Sequence, residues 1–116
     1  IPLAEAKKLS PPSFIIGVSA QTIEEARLAE EQGADYLGIG AVFPTSTKEA
    51  DALGLTGTAR VASATRLPSV AIGGISLENA AEIMKTGVTG LSLISAIVGN
   101  SDIAGQTRKF LEIVGR

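Results

Sequence analysis

Three hydroxyl side chains and a lysine follow one another within the segment GAVFPTSTKEA, residues 40–50. Thr45, Ser46 and Thr47 carry O–H donors, and Lys48 carries a compact positive charge suited to phosphate oxygens. A solvated surface loop would contain the same residue types. The whole loop, from Gly40 to Leu53, is about fourteen residues long, however, and long loops in compact domains often bind ligands. The segment predicts either a polar loop or an anion site.

Two more groups suited to an anion follow apolar stretches further along the chain. Gly73 and Gly74 allow backbone to approach a ligand closely and lead towards an expected helix N-terminus, whose dipole favours negative charge. Ser95 follows the apolar run that ends at Ile94, where it could cap a short turn. A tight strand-to-helix turn would also explain the two glycines, so both interpretations stay open.

The composition of the 116 residues excludes several kinds of catalytic site and of binding partner. The chain has no His and no Cys, which excludes Ser-His-Asp and Cys-His catalysis and makes a zinc site of the usual type improbable. Its net charge of -2 does not favour nucleic acid or an anionic membrane as a partner, and no apolar run is long enough for a bilayer. The lack of cysteine fits the cytoplasm, where we expect the protein to be.

Short apolar runs alternate with helical patterns along the whole chain. A capping box with Thr22 as N-cap and Glu25 at N3 opens one helix, and Ser76 is expected to cap another. The pattern predicts strands over 14–18, 36–39, 70–72 and 91–94. It predicts helices over 23–32, 56–64, 77–86 and 103–114, with a short one over 3–9.

This alternation predicts an α/β fold with a parallel sheet. Residues 22–39 align without gaps on residues 76–93, which indicates either an internal repeat or the ordinary likeness of two βα units. A small doubly wound sheet and part of a (β/α)₈ barrel both fit. A whole barrel needs at least ~200 residues, so four βα units would form half of one, with unpaired edge strands. We therefore expect residues 1–116 to be one domain that pairs with another piece. The first residue, Ile1, also fits a fragment or processed chain.

The stretches GVSAQTIEEARLAEEQGADYLGIGAVFPTSTK and VAIGGISLENAAEIMKTGVTGLSLISAI resemble the C-terminal half of thiamine-phosphate synthase. The resemblance covers nearly the entire chain, and the combination of GVSA, VFPT-x-TK, AIGGI and ISAI is highly specific. It implies four βα units of a TIM (β/α)₈ barrel whose N-terminal half is absent from this chain. It also implies a transferase that joins hydroxymethylpyrimidine diphosphate to thiazole phosphate, giving thiamine phosphate and diphosphate.

The resemblance assigns roles to seven residues. Ser19 and Lys48 would contact the diphosphate, and the other five would hold the thiazole phosphate: Thr45, Thr47, Gly74, Ile94 and Ser95. It implies Mg²⁺ as cofactor, with ligands in the absent N-terminal half. Asp35, Asp51 and Asp102 match no metal-binding motif, so no ligand is assigned here.

Two alternatives stay open. The family usually has His where this chain has Gln21. Thiazole tautomerases, a sister branch, use that His for proton transfer and lack the PT-x-TK pattern, so Gln21 and the intact pattern favour the synthase. The chain could also be a partial, inactive half barrel that binds phosphate.

Overall fold

The computed structural model describes residues 3–43 and 52–115, which form four consecutive parallel βα units. The strands are β1 Gly17–Ala20, β2 Tyr36–Gly40, β3 Ser69–Ile72 and β4 Gly90–Ser92. The helices are α1 Leu3–Leu9, α2 Ile23–Glu31, α3 Gly54–Ser63, α4 Ala80–Met84, α5 Ser95–Val98 and α6 Ile103–Val114. The sheet order is β1-β2-β3-β4, with every neighbouring pair parallel.

Helix boundaries follow the sequence signals closely in the first unit. Thr22 Oγ1 accepts the N–H of Glu25 at 3.0 Å, and the Glu25 carboxylate in turn accepts the N–H of Gln21 at 2.8 Å. Gly33, with φ of 88°, ends the unit in the left-handed conformation that glycine adopts without strain. The predicted cap at Thr22 is therefore confirmed.

The starts of two predicted elements are wrong by three residues; in addition, β4 ends at Ser92 instead of Ile94, and the short helix α5 was not predicted. The first strand begins at Gly17, because the N–H of Ile16 donates to the Asp35 carboxylate at 2.7 Å, and the N–H of Phe14 closes a turn onto Pro11. Helix α4 begins at Ala80 instead of directly after Ser76. The Ser76 carbonyl accepts the N–H of Asn79, so a tight turn separates the two glycines from the helix.

The core lies between the sheet and the helices. Alternate strand residues point to this side, and they are almost fully buried: Ala20, Leu37, Ile39 and Ala71. The helices contribute small or branched side chains that let them approach the sheet: Ala26, Ala29, Val61, Ile83 and Phe110. This one-sided packing fixes the direction in which each strand presents its other residues.

The opposite face of the sheet is uncovered by any residue in 3–43 or 52–115. The register aligns on it, among others, Ser19 with Gly38 and Ile72 with Ser92. Tyr36 lies on this face over Gly17 and keeps 40% of its surface exposed, and Ile72 keeps 41%. Parallel sheets are normally covered on both faces, and the described part of the chain covers only one of them.

No helix in the described ranges is long and apolar enough to cross a membrane.

Candidate functional site

The carboxyl ends of β3 and β4 border a pocket of about 320 Å³. Its lining comes from two short stretches, Ile72–Ile75 and Ser92–Ala96. Gly74, Ile94 and Ser95, which the family resemblance assigned to a thiazole phosphate, therefore lie together at one end of the sheet. Parallel strands bring their carboxyl ends to the same edge, which is why residues twenty positions apart meet here.

Several residues that line this pocket have backbone N–H groups without a backbone partner in the described ranges. Ser95 is the first residue of α5, and the Ile94 carbonyl accepts the N–H groups of Ile97 and Val98, which leaves those of Ser95 and Ala96 without a backbone partner in the described residues. Within the same ranges, the N–H groups of Gly74 and Ile75 also make no hydrogen bond. Unpaired N–H groups around a concave site suit an anion.

The glycine pair is fixed by crowding as well as by backbone conformation. Gly73 and Gly74 have φ of 97° and 69°. A Cβ on Gly73 would lie 2.7 Å from the Ala41 Cβ, and one on Gly74 would lie 2.7 Å from the Phe43 carbonyl oxygen. Any side chain at either position would displace the residues after β2, so glycine is required here.

A second pocket, of about 290 Å³, lies beside the first at the carboxyl ends of β1 and β2. It is lined by Ser19, Gln21, Glu25, Gly38, Gly40, Ala41 and Ile72. Ile72 borders both pockets, so the two sites are adjacent. Ser19, assigned by resemblance to the diphosphate, lines the second pocket and not the first.

Thr45, Thr47 and Lys48 lie outside the described residues. The described residues on either side of that segment are hydrogen-bonded to each other. The N–H of Leu53 donates to the Ala41 carbonyl at 2.8 Å, and that of Gly54 donates to the Val42 carbonyl at 2.7 Å. Ala41 also lines the second pocket, and Phe43 touches Gly74 beside the first. The described residues that flank this segment thus lie next to both pockets.

Sequence reasoning missed Asn79. Its side-chain amide bonds to Gly74 and Ser76, and its only sequence signal is that it occupies the position equivalent to Glu25 in the aligned unit.

The described residues contain no group of three or more His, Cys, Asp or Glu that could hold a metal ion. Asp35 accepts the Ile16 N–H, and Asp102 caps α6 by accepting the Gly105 N–H at 3.1 Å. Neither carboxylate is placed beside the pockets. Among the described residues that line the two pockets, the one carboxylate is that of Glu25, which accepts the Gln21 N–H.

A sequence model described as thiamine monophosphate synthase matches residues 1–97. The chain belongs to the thiamine monophosphate synthase family. The thiamine-phosphate synthases of Pyrococcus furiosus and Coprothermobacter proteolyticus are 47% and 46% identical to it over 115 residues. A solved thiamine phosphate pyrophosphorylase from Pyrococcus furiosus superposes with a TM-score of 0.90 at 45% identity.

These relatives of the thiamine monophosphate synthase family are considerably longer. Each match covers 98% of this chain but only 54–55% of the relative. The chain therefore spans about half the length of the relatives that it matches.

Proposed function

We propose that this chain is the C-terminal half of a thiamine-phosphate synthase and supplies part of its active site. The enzyme joins hydroxymethylpyrimidine diphosphate to thiazole phosphate and releases diphosphate. The observation that carries the proposal is the pair of adjacent pockets, one bordered by Gly74 and Ser95 and the other by Ser19. Two substrates that must react with each other need two sites that meet.

In this proposal the first pocket holds the thiazole phosphate. Backbone N–H groups of Gly74 and Ser95 and the Ser95 hydroxyl donate to its phosphate, while Ile94 flanks the ligand. The second pocket holds the pyrimidine diphosphate, with Ser19 donating to it. Thr45 and Thr47 serve the thiazole phosphate, and Lys48 balances the charge of the departing diphosphate. The described residues that flank residues 44–51 are hydrogen-bonded to each other next to both pockets, which supports this assignment.

The reaction needs no protein nucleophile. The pyrimidine diphosphate ionises, its C–O bond electrons leave with the diphosphate, and the thiazole nitrogen donates its lone pair to the resulting carbocation. This chain contributes by holding the rings in register and stabilising the departing anion. A chain without His or Cys can perform both tasks.

We further propose that the N-terminal half covers the open sheet face and pairs with β1 and β4, closing a (β/α)₈ barrel. Within the described residues both strands are sheet edges. Large exposed apolar side chains flank both: Phe14 and Ile15 before β1, and Ile94 and Val98 after β4. The missing half of the relatives' length matches what such a closure requires. Mg²⁺ would bind in that half, and the cytoplasm is the proposed location.

Product analysis tests the activity. The chain is mixed with the N-terminal half of the Pyrococcus furiosus relative, both substrates and Mg²⁺. We expect equal amounts of thiamine phosphate and diphosphate. Isomerisation of the thiazole phosphate without diphosphate release would identify a tautomerase instead, although Gln21 in place of His argues against it. Formation of neither product would contradict the proposal.

A further inference from the structure

Asn79 holds the loop that borders the first pocket. Its side-chain Nδ2 donates to the Gly74 carbonyl at 2.9 Å, and its Oδ1 accepts the Ser76 N–H at 2.8 Å. The side chain is half-buried, so both hydrogen bonds are shielded from full exchange with water. One amide group therefore spans the peptide groups on either side of Ile75.

The first bond fixes the orientation of the peptide group that follows Gly74. Because its carbonyl points to Asn79, the N–H on the same peptide, that of Ile75, points the opposite way. A free Gly74 carbonyl could rotate towards the pocket and present a negative dipole to an anion. The donor on Asn79 prevents this rotation.

The aligned unit, residues 22–39, has a different side chain at the position of Asn79. Glu25 occupies the equivalent position, and its carboxylate likewise accepts a backbone N–H, that of Gln21. A carboxylate accepts but cannot donate, and it carries a negative charge. At position 79 the amide keeps the acceptor, adds a donor for Gly74 and removes the charge. Of these changes, the added donor is the one that fixes the Gly74 carbonyl.

We propose that Asn79 is a positioning residue for the thiazole phosphate. It holds the Gly74–Ser76 loop so that the loop's N–H groups face the phosphate, without contacting the substrate itself. This inference rests on the proposed function, because it needs a phosphate in the first pocket.

The test compares Asn79→Asp with Asn79→Ala in the chain complemented by the N-terminal half of the Pyrococcus furiosus relative. Asn79→Asp keeps the shape and the acceptor but loses the donor and adds charge, whereas Asn79→Ala loses both bonds without adding charge. Asn100→Asp is the matched control, since Asn100 is the chain's other asparagine and also accepts a backbone N–H, that of Asp102. The measurements are KM for each substrate and the melting temperature.

We expect both Asn79 variants to raise KM for thiazole phosphate by about tenfold or more, with Asn79→Asp the worse. KM for the pyrimidine diphosphate should change less than about twofold, which a general loss of structure would not produce. Equal increases for both substrates, or none, would overturn the positioning role alone. Wild-type protein that binds no thiazole phosphate, measured by calorimetry, would overturn the proposed function and this inference with it.

Discussion

At the scale of single residues, one buried hydroxyl group lacks a hydrogen-bond partner and lowers the stability of the described structure. Thr58 on α3 is fully buried, and its Oγ1 has no hydrogen-bond partner among the described residues. Burying a hydroxyl without a hydrogen bond costs about 1–3 kcal/mol in mutational data. The Thr58 hydroxyl therefore lowers the stability of the fold without making a hydrogen bond in return.

Replacing this hydroxyl by a methyl group should stabilise the chain. We expect Thr58→Val to raise the free energy of unfolding by about 1 kcal/mol, measured by urea denaturation. Thr56→Val on the same helix is the control, because Thr56 is exposed and should change stability by less than ~0.5 kcal/mol. A destabilised Thr58→Val would mean that the hydroxyl has a partner outside the described residues.

Lys48 is the residue whose removal tests the diphosphate assignment. In the complemented protein, Lys48→Ala should lower kcat/KM for the pyrimidine diphosphate by ~100-fold, as expected when one donor to a departing anion is lost. The melting temperature should stay within a degree or two of wild type. Lys85→Ala removes an exposed lysine whose ammonium group pairs with Glu82 at 3.4 Å, and should leave activity unchanged. Unchanged activity in Lys48→Ala would refute the role given to this segment.

Some residues of the candidate site could be predicted from the sequence and others could not. Gly74 and Ser95 were identified because glycine pairs and hydroxyls after apolar runs are local signals, and parallel strands bring such ends together. Asn79 was missed because its role depends on two bonds to backbone groups three and five residues earlier. A lone asparagine before a helix carries no signal for such a bridge.

At the scale of elements, a carboxylate links α2 to the loop between α3 and β3. Glu30 accepts the Thr65 hydroxyl at 2.6 Å and the Arg66 N–H at 2.8 Å. The Thr65 hydrogen bond, and then the Arg66 N–H, hold the pKa of the Glu30 carboxyl below its usual 4.5. The ionised form is therefore the one that ties these elements together.

The sign of this shift sets a pH dependence. Because the folded pKa is depressed, the stabilisation is complete above about pH 4.5 and is lost as the pH falls through the lower folded value. We expect Glu30→Gln to melt below wild type at pH 7 and the difference to shrink in acid. Exposed Glu31→Gln should track wild type throughout. A difference between Glu30→Gln and wild type that is independent of pH would exclude the carboxylate as its source.

Element types were predictable and some element boundaries were not. The apolar runs and the Thr22 cap gave the order of strands and helices, since these signals are local. The starts of β1 and α4 depend instead on side chains that accept backbone N–H groups. Asp35 accepts the N–H of Ile16, nineteen residues earlier, and Asn79 accepts that of Ser76 in its own turn. Hydrophobic patterns do not reveal these side-chain hydrogen bonds, which compete with secondary structure for backbone groups.

At the scale of the molecule, the open sheet face and the flanking apolar side chains are the surface that we propose for the other half. Ile15, 77% exposed beside β1, should be buried there. Ile15→Lys should weaken association with the N-terminal half by about tenfold or more, since burying an isoleucine contributes roughly 1.5–3 kcal/mol. Leu28→Lys is the control, because Leu28 is exposed on α2, on the helix side of the sheet. Equal binding by Ile15→Lys would remove this edge from the interface.

The central claim is that this chain forms half of an active site that the other half completes. The direct measurement is the rate of thiamine phosphate formation at a fixed concentration of this chain, well above the dissociation constant, as the N-terminal half is added. We predict no product from either half alone and a rate that rises until one equivalent is present and then stays constant. A rate independent of the added half, or no product at any ratio, would contradict the account.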